Sequence, residues 1–240
     1  MRAHLIADLH LDATRPQLTA ILLRFLAGRA RQADALLILG DLFEAWIGDD
    51  AADPMALDVA AALAELAGHG VAIGFVHGNR DFLLGAEYAA RCGMRRLPDP
   101  CVLQLGGRIT LLSHGDALCT GDHAYQAFRR QVRDPAWQAG FLAQPLPARR
   151  AFAAQARAAS GEHQRSLDQQ IADVDPAAVD TLFRRHGIDR LIHGHTHRPA
   201  EHHHHVDGRD CERIVLADWR EAGEALHVDA DGWRRIALTS

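Results

Sequence analysis

The side chains of this sequence that could do chemistry together are two aspartates, one asparagine and four histidines. They fall in five short polar motifs, each directly after an apolar run: Asp8-Leu9-His10, Gly40-Asp41, Gly78-Asn79-Arg80-Asp81, His114-Gly115-Asp116 and Gly194-His195-Thr196-His197. Mixed oxygen and imidazole ligation without cysteine favours manganese or iron over a structural zinc. Seven such ligands are enough for two ions that share one carboxylate, and two ions about 3.5–4 Å apart catalyse phosphoester hydrolysis.

Within this set, Asp41 is the best candidate for the shared carboxylate, because Gly40 before it allows the backbone to approach closely. Arg80 is next to a candidate ligand, and its planar guanidinium could clamp a phosphate oxygen. A single aspartate or histidine at the end of a strand is more often a cap or a turn residue. Five motifs of this kind in one chain make coincidence the weaker interpretation, so the set predicts a metal-dependent phosphoesterase site.

Apolar runs predict five buried strands, at residues 5–7, 35–39, 71–76, 108–112 and 191–192. Helical spacing of apolar residues predicts helices between them, at residues 18–31 and 54–68. Strands that alternate with helices indicate a layered α/β domain. Ligands bind at the carboxyl ends of strands in such folds. Because all five motifs lie at strand ends, we expect them to converge on one site.

Residues 121–175 have a different composition, with few β-branched residues and much alanine, glutamine and arginine. Amphipathic helices are predicted at 122–133 and 147–159. We therefore predict a core of residues 1–120 and 176–240, interrupted by a helical insertion at 121–175. Alternating apolar and polar residues at 213–238 predict antiparallel strands, and four consecutive histidines at 202–205 are interpreted as an exposed loop.

Composition limits the class of protein. A length of 240 residues suits one domain, or one domain with an insertion. The net charge of -5 does not favour a nucleic-acid partner held by a basic surface. The four cysteines form no CxxC pair, so we expect reduced thiols in the cytoplasm rather than a disulfide framework. We expect neither a signal peptide nor a membrane span.

The motifs in this order resemble those of the calcineurin-like metallophosphoesterases, and in particular the UDP-2,3-diacylglucosamine hydrolase family. Residues 43–50, Phe-Glu-Ala-Trp-Ile-Gly-Asp-Asp, are the most specific part of the resemblance, since many hydrolases share the metal motifs alone. The resemblance covers almost the whole chain, including Tyr125-Gln126-Ala127-Phe128-Arg129 in the insertion. It implies a four-layer αββα sandwich with a helical lid, which is the inserted segment.

The reaction implied by the resemblance belongs to lipid A biosynthesis. Water attacks the α-phosphate of UDP-2,3-diacylglucosamine, and the products are UMP and 2,3-diacylglucosamine 1-phosphate. A general metal-dependent phosphodiesterase is the alternative among enzymes. A non-catalytic interaction scaffold is a third possibility, although such a protein should lack several metal ligands, and all seven are present here.

The resemblance also implies a di-manganese site. One Mn²⁺ would be held by Asp8, His10, Asp41 and His197, and the other by Asp41, Asn79, His114 and His195. The catalytic role falls on four of these residues, Asp41, Asn79, His114 and His195. Contacts to the headgroup and phosphate are implied for a second set: Asn79, Arg80, Asp122, Tyr125, Arg157, Ser160, Gln164, Leu167 and His195.

Two positions in the second set depart from the family pattern. Gln164 stands where the family usually has a smaller asparagine or threonine, and Leu167 stands where it usually has lysine. The leucine removes a cation that contacts the sugar phosphate. Our hypothesis is that Arg165 or Arg157 compensates for this loss.

The insertion is also where we expect contact with a membrane. It carries large apolar side chains, which either line a lipid site or pack the lid onto the core: Phe128, Trp137, Phe141, Leu142, Leu146 and Phe152. Four arginines beside them are candidates for anionic lipid headgroups: Arg129, Arg130, Arg149 and Arg150. The resemblance implies peripheral attachment to the cytoplasmic face of the inner membrane, and we expect a monomer.

Overall fold

Two β-sheets form the centre of the molecule in the computed structural model, which describes residues 1–166 and 173–239. The strands of the first sheet, in spatial order, are β11 (Gly232–Leu238), β10 (Gly223–Asp229), β1 (Ala3–Ile6), β2 (Ala35–Leu39), β3 (Ala72–Val76) and β4 (Met94–Arg96). Strands β1 to β4 are parallel to one another, whereas β10 pairs antiparallel with both β1 and β11. The carboxyl ends of β1, β2 and β3 therefore lie at one edge of this sheet.

The second sheet has five described strands, in the order β5 (Cys101–Leu105), β6 (Arg108–Ser113), β7 (Arg190–His193), β9 (Arg209–Val215) and β8 (Ala200–Val206). Strands β6, β7 and β9 are parallel, and the two outer strands are antiparallel to their neighbours. The described helices are α1 (Pro16–Ala27), α2 (Pro54–Gly68), α3 (Ala86–Arg91), α4 (His123–Val132), α5 (Pro135–Leu142), α6 (Leu146–Ser166) and α7 (Pro176–His186).

Alternate side chains of the strands enter different layers, because successive residues of a strand point to opposite faces. In the first sheet, Ile6 joins the apolar core beneath α1 and α2, whereas Leu5 points towards the second sheet. In the second sheet, Leu112 faces inward and Leu111 packs beneath α7, beside Phe183. The result is helix, sheet, sheet and helix in succession, which is the four-layer α/β architecture expected from the sequence.

Most predicted elements in the core are present, with shifted ends. Helix α2 begins where Asp53 caps it by accepting a hydrogen bond from the backbone N–H of Ala56 (2.8 Å). Helix α1 ends at Ala27 instead of continuing to residue 31, because Gly28 leaves the helical conformation and a 3-10 turn follows. Strands β4 and β5 are additional elements that the apolar pattern did not predict.

The interpretation of residues 202–205 as an exposed loop is wrong, because they form most of edge strand β8. His204 is only slightly exposed, packs edge-on against Phe183 and lies 3.0 Å from a carboxylate oxygen of Asp180. His203 and His205 alternate with it and point into solvent. Alternation with period two is the property of a half-buried strand, and four identical residues conceal it in the sequence.

The helical insertion between β6 and β7 contains α4, α5 and α6. Helices α4 and α6 correspond to the two predicted helices, and α5 is additional. The ring of Trp137 stacks on that of Phe141 at 5.0 Å, and Phe152 contacts both rings. These three aromatic side chains join the core beneath α1 and α2, so they fasten the insertion to the first sheet's helical layer. None of the described helices is long and apolar enough to cross a membrane.

His4 is a buried histidine far from the predicted site. Its ring on β1 lies 4.7 Å from that of His227 and edge-on to Phe25. Burial, and then the charge of His227, lower the pKa of His4 from 6.5 to about 4. Between these two values the unfolded chain binds more protons than the folded one, so stability is lost as the pH falls through this range.

We therefore expect a His4→Phe variant to be less sensitive to acid than the wild-type protein. Between pH 7 and pH 5 the wild-type free energy of unfolding should fall by about 2 kcal/mol more than that of the variant. Urea unfolding at both pH values measures the difference. His203→Phe, at a site 79% exposed, is the matched control and should titrate like the wild type. Equal losses in His4→Phe and wild type would contradict the assignment.

Candidate active site

All seven predicted ligands come together between the carboxyl ends of five strands. Asp8 and His10 follow β1, Asp41 follows β2, Asn79 follows β3, His114 follows β6, and His195 and His197 follow β7. Their polar atoms lie a few ångströms apart. His10 Nε2 and His197 Nε2 are separated by 3.3 Å, and Oδ1 of Asn79 is 2.9 Å from His114 Nε2 and 2.8 Å from His195 Nδ1.

Two overlapping groups in the described part of the chain have ligand atoms within 4.8 Å of one another, and both include Asp8. One group adds His10 and His197, and the other adds Asp41 and His114. Asp41, a member of the second group, also reaches the first, because its Oδ2 is 3.8 Å from His10 Nε2 as well as from His114 Nε2. This central position is the one that a carboxylate shared by two ions requires.

The backbone at these ligands is strained. Among described residues other than glycine, six have positive φ, and five of them are predicted ligands: Asp8 (55°), His10 (48°), Asp41 (52°), His195 (69°) and His197 (54°). The sixth, Asp207, is in the turn between β8 and β9. Such conformations cost of order 1–3 kcal/mol each and persist where the surrounding structure holds them in place. Their concentration here indicates that the fold maintains this ligand geometry at the expense of stability.

Charge and donor chemistry in this cluster fit a divalent metal ion. Burial raises the pKa of Asp8, but hydrogen bonding to His197 and the charge of His114 outweigh it and bring the pKa to about 2. Asp8 Oδ1 is buried and makes no close hydrogen bond among the described residues, since His197 Nε2 lies 3.5 Å from it. Burial lowers the pKa of His195 to about 4, so this imidazole is neutral at pH 7 and can donate an electron pair. Burial lowers the pKa of His114, but the charges of Asp41 and Asp8 outweigh it and raise the pKa to about 9, so a metal ion would replace a proton there. Ionised carboxylates and neutral imidazoles are the forms that bind metals.

Three of the histidines are oriented through the ring nitrogen that points away from the cluster. His10 Nδ1 is 3.1 Å from Glu44 Oε2, His114 Nδ1 is 2.8 Å from the carbonyl oxygen of Leu39, and His197 Nδ1 is 3.4 Å from Asp218 Oδ2. Contacts of this kind fix the ring orientation and leave Nε2 free for a metal. Sequence reasoning missed Glu44 and Asp218 in this role, although Glu44 lies in the segment 43–50 that carried the resemblance.

Asp81 was also missed, although it is part of the third motif. Its fully buried carboxylate accepts hydrogen bonds from the N–H groups of Gly78 (2.8 Å) and Leu42 (2.7 Å). Burial and the charge of Asp41 raise the pKa of Asp81 to about 7. Asp81 thus joins the loops that follow β2 and β3 and positions Asp41 relative to Asn79.

Gly78 is where these two loops come closest. A Cβ atom at this position would collide with the backbone nitrogen and the carboxylate of Asp41. We expect Gly78→Ala to lower Mn²⁺ affinity at least about 10-fold and to cost about 1–3 kcal/mol of stability. Isothermal titration calorimetry and urea unfolding would measure both effects. Gly140→Ala on α5 is the matched control, because nothing lies within 4 Å of its Cβ. Unaltered Mn²⁺ affinity in Gly78→Ala would contradict the conclusion that a Cβ atom at this position displaces Asp41.

A cavity of about 460 Å³ opens beside the cluster, between the core and the inserted helices. Asn79 and Arg80 lie at its polar end, and most of the remaining wall is apolar. Its side chains come from the segment after β2, from the loop after β3 and from α4, α5 and α6: Glu44, Ala45, Trp46, Ile47, Phe82, Leu83, Ala124, Tyr125, Phe128, Phe141, Phe152, Ala153, Ala156, Arg157, Ala159 and Ser160. An elongated apolar group attached to a phosphate would match this wall.

A family model for calcineurin-like phosphoesterases matches residues 1–199. The chain belongs to the calcineurin-like phosphoesterases. It is 57% identical to UDP-2,3-diacylglucosamine hydrolase of Stenotrophomonas maltophilia, over 98% of this chain and 97% of the relative. It is 58% identical to the protein of the same name from Xanthomonas campestris pv. campestris, over 95% of each. A solved archaeal phosphodiesterase aligns over 99% of this chain and 100% of its own, at 12% identity and a TM-score of 0.48.

Of the substrate residues predicted for this calcineurin-like phosphoesterase, five line the cavity: Asn79, Arg80, Tyr125, Arg157 and Ser160. Tyr125 stacks on the ring of His195 at 5.8 Å, and Asp122 caps α4 by accepting a hydrogen bond from the backbone N–H of Tyr125 (2.9 Å). Arg157 and Ser160 lie on the α6 wall. Leu167 and the side chains of Gln164 and Arg165 lie outside the part of the chain that the structure describes.

Two of the four arginines considered for lipid headgroups point into the protein instead. Arg149 is buried, donates to the carbonyl oxygen of Ile47 (2.7 Å) and forms an ion pair with Asp50. Arg129 donates through Nε to buried Asp116 (2.8 Å). Their expected role at a membrane is wrong, because buried carboxylates or carbonyls on the core already engage them. Arg130 and Arg150 are exposed.

Proposed function

We propose that this protein hydrolyses UDP-2,3-diacylglucosamine to UMP and 2,3-diacylglucosamine 1-phosphate. The observation that carries the proposal is an apolar cavity that begins at Asn79 and Arg80, beside the ligand cluster. A substrate whose pyrophosphate lies at the cluster can then extend its lipid part between the core and the inserted helices. The relatives' name, at 57% identity over nearly the whole chain, supports the same substrate.

Two Mn²⁺ ions are the proposed cofactor. The first would be held by Asp8, His10, Asp41 and His197, and the second by Asp41, Asn79, His114 and His195. When bound, two divalent ions supply an activated water and charge stabilisation for displacement at phosphorus. The mixed carboxylate, amide and imidazole donors support manganese, and the absence of cysteine from this set disfavours a structural zinc.

Arg80 is the proposed phosphate-binding group of the protein itself. Its backbone N–H donates to Asp41 Oδ1 (2.8 Å), which fixes the residue beside the cluster. Its guanidinium lies at the polar end of the cavity, 4.0 Å from Glu44 Oε1. A guanidinium in this place can bind phosphate oxygens through two parallel hydrogen bonds, and Glu44 keeps it oriented.

The apolar wall provides the binding free energy for acyl chains. Burial of each methylene contributes about 0.8 kcal/mol, so several methylenes in this cavity would dominate substrate affinity. Six aromatic side chains contribute to the wall: Trp46, Phe82, Tyr125, Phe128, Phe141 and Phe152. A general phosphodiesterase, the alternative among enzymes, has no use for such a wall beside its metal site.

The deciding experiment compares UMP release from UDP-2,3-diacylglucosamine with hydrolysis of a soluble diester, bis(4-nitrophenyl) phosphate, both with added Mn²⁺. Efficient UMP release, with kcat/KM at least about 100-fold higher for the lipid, is expected because the cavity binds acyl chains. Comparable values for the two substrates would favour the general phosphodiesterase. Hydrolysis of neither substrate would favour the non-catalytic scaffold.

For localisation, we propose a monomer on the cytoplasmic face of the inner membrane, bound peripherally through the inserted helices. Phe128 on α4 and Leu142 on α5 are 36% and 39% exposed, and Arg130 and Arg150 are exposed near them in the chain. Each basic residue close to anionic lipid adds about 1 kcal/mol of attraction. This arrangement would let the acyl chains pass from the bilayer into the cavity, whose wall includes Phe128.

Sedimentation with phosphatidylglycerol vesicles tests this attachment. The double variant Phe128→Ser with Leu142→Ser should bind at least about 10-fold more weakly than the wild type, because two apolar groups no longer enter the bilayer. Leu57→Ser on α2, where Leu57 is 38% exposed, is the matched control and should bind normally. Equal binding by the double variant would place the contact elsewhere.

A further inference from the structure

Asp116 is a fully buried carboxylate two residues after His114, at the start of the segment that leads into the insertion. Two side chains of α4, and that of Arg133 directly after the helix, converge on its Oδ2. The hydroxyl of Tyr125 donates to it (2.7 Å), Arg129 donates through Nε (2.8 Å), and Arg133 Nη2 lies 3.7 Å away. A single carboxylate of the core thus contacts side chains four residues apart along α4 and at its C-terminal end.

The backbone of Asp116 adds another link to the same helix. Its carbonyl oxygen accepts a hydrogen bond from Nε2 of Gln126 (2.8 Å), and the same group also donates to the carbonyl oxygen of Cys119 (3.1 Å). Apolar packing contributes less to this attachment, because Val132 is the one buried residue of α4. The position of α4 therefore depends mainly on polar contacts, most of which end at Asp116.

The same helix and Arg133 after it also contact two other loops of the cluster. Tyr125 stacks on His195 in the loop after β7. Arg133 donates to the carbonyl oxygen of Gly78 (2.9 Å), directly before Asn79, and its guanidinium lies 5.7 Å from the ring centre of Phe82. Helix α4 and the residue after it therefore contact three loops that carry predicted ligands. On the same helix, Ala124, Tyr125 and Phe128 form part of the cavity wall.

We infer that Asp116 is a positioning residue that holds α4 at a fixed distance from the metal centre. The lipid cavity then keeps a constant position relative to the reacting phosphate. Asp116 itself faces the helix and not the cavity, so it acts through Tyr125, Arg129 and Arg133. This inference rests on the proposed function, since it assigns to α4 a role in binding the lipid substrate.

Removing the charge at position 116 should loosen α4 without removing a metal ligand. Asp116→Asn keeps an acceptor for the Tyr125 hydroxyl but removes the nearest anion of both Arg129 and Arg133. Arg129 then retains Asp99, whose Oδ2 is 3.9 Å from its Nη2, and cations with weaker compensation draw water and move towards it. We expect kcat/KM for UMP release to fall roughly 30-fold, mostly through a higher KM, with two Mn²⁺ still bound per chain. A fall of this kind separates positioning of the substrate from assembly of the metal centre.

Arg129→Gln supplies a second variant that leaves the core carboxylate in place. If Asp116 acts through Arg129, the double variant should be little worse than Asp116→Asn alone, because both changes break the same pair. Gln131→Ala is the matched control, since Gln131 lies on the same helix and is exposed. Its kcat/KM should stay within about twofold of the wild-type value.

Hydrogen–deuterium exchange of the peptide that covers α4 gives a readout independent of the substrate. Exchange should become at least about 10-fold faster in Asp116→Asn and remain unchanged in Gln131→Ala. Unchanged exchange and KM in Asp116→Asn would overturn the inference, as would loss of bound Mn²⁺ or full additivity with Arg129→Gln. Failure of the wild-type protein to release UMP would instead overturn the proposed function, and the exchange experiment would still decide whether Asp116 holds α4.

Discussion

Asp41→Asn should abolish the proposed reaction, with UMP release falling at least about 1,000-fold. The carboxylate lies 3.8 Å from Nε2 of both His10 and His114, so its charge is available to both halves of the cluster. Asparagine has nearly the same shape and can still accept the backbone N–H of Arg80, which now donates to Oδ1. The change therefore removes the charge while preserving the loop, and the bound Mn²⁺ should fall from two per chain to one or none.

The measurement is steady-state UMP release at saturating Mn²⁺, with metal content determined on the same samples. Asp189→Asn is the matched control, because Asp189 is a surface residue 48% exposed that pairs with Arg108. Its turnover and metal content should equal those of the wild type. Turnover of Asp41→Asn within about tenfold of the wild-type value would show that Asp41 does not bridge two ions.

The ligand cluster could be predicted from the sequence because each ligand is close in the chain to the feature that places it. An apolar run of two to six residues sets the strand, and the polar motif after it marks the strand's carboxyl end. Gly40 and Gly78 add a second local signal, since the chain needs a residue without Cβ where the two loops meet. The five motifs converge because β1, β2 and β3 are parallel, as are β6 and β7.

The partners of the buried charges could not be predicted in the same way. Arg149 finds Asp50, 99 residues away in the chain, and Asp218 reaches His197 from the segment after β9. A sequence shows that an arginine is charged, but not which carboxylate the fold places beside it. For the same reason the sequence makes Arg129 and Arg149 candidates for a membrane surface, although both bind groups of the protein itself.

In the inserted segment, some features could be predicted from the sequence and others could not. Their helical character follows from composition and spacing, so α4 and α6 were predicted, whereas α5 is short and its apolar residues have little helical periodicity. Trp137 and Phe152 could equally have lined a lipid site or packed on the core. The structure gives both roles to Phe141 and Phe152, which pack on the core while bordering the cavity.

The second large effect on activity is expected at the cavity. Its α6 wall contains small residues, and replacing one of them with a larger residue should exclude acyl chains. Ala156→Trp fills space now open to the lipid while leaving the ligand cluster unchanged. Displacing about three buried methylenes costs about 2.4 kcal/mol, which is roughly a 50-fold fall in kcat/KM for UDP-2,3-diacylglucosamine. An analogue with acyl chains shortened by several carbons should lose much less, because it needs less of the cavity.

Ala154→Trp separates this effect from damage to the helix. Ala154 is two residues away on α6, is exposed and is not part of the cavity wall, so its kcat/KM should stay near the wild-type value for both substrates. The ratio of kcat/KM for the long and short substrates is the decisive quantity, since a misplaced metal centre would lower both equally. An unchanged ratio in Ala156→Trp would mean that the acyl chains lie outside this cavity, and that Arg80 anchors a headgroup whose lipid part leaves the protein by another route.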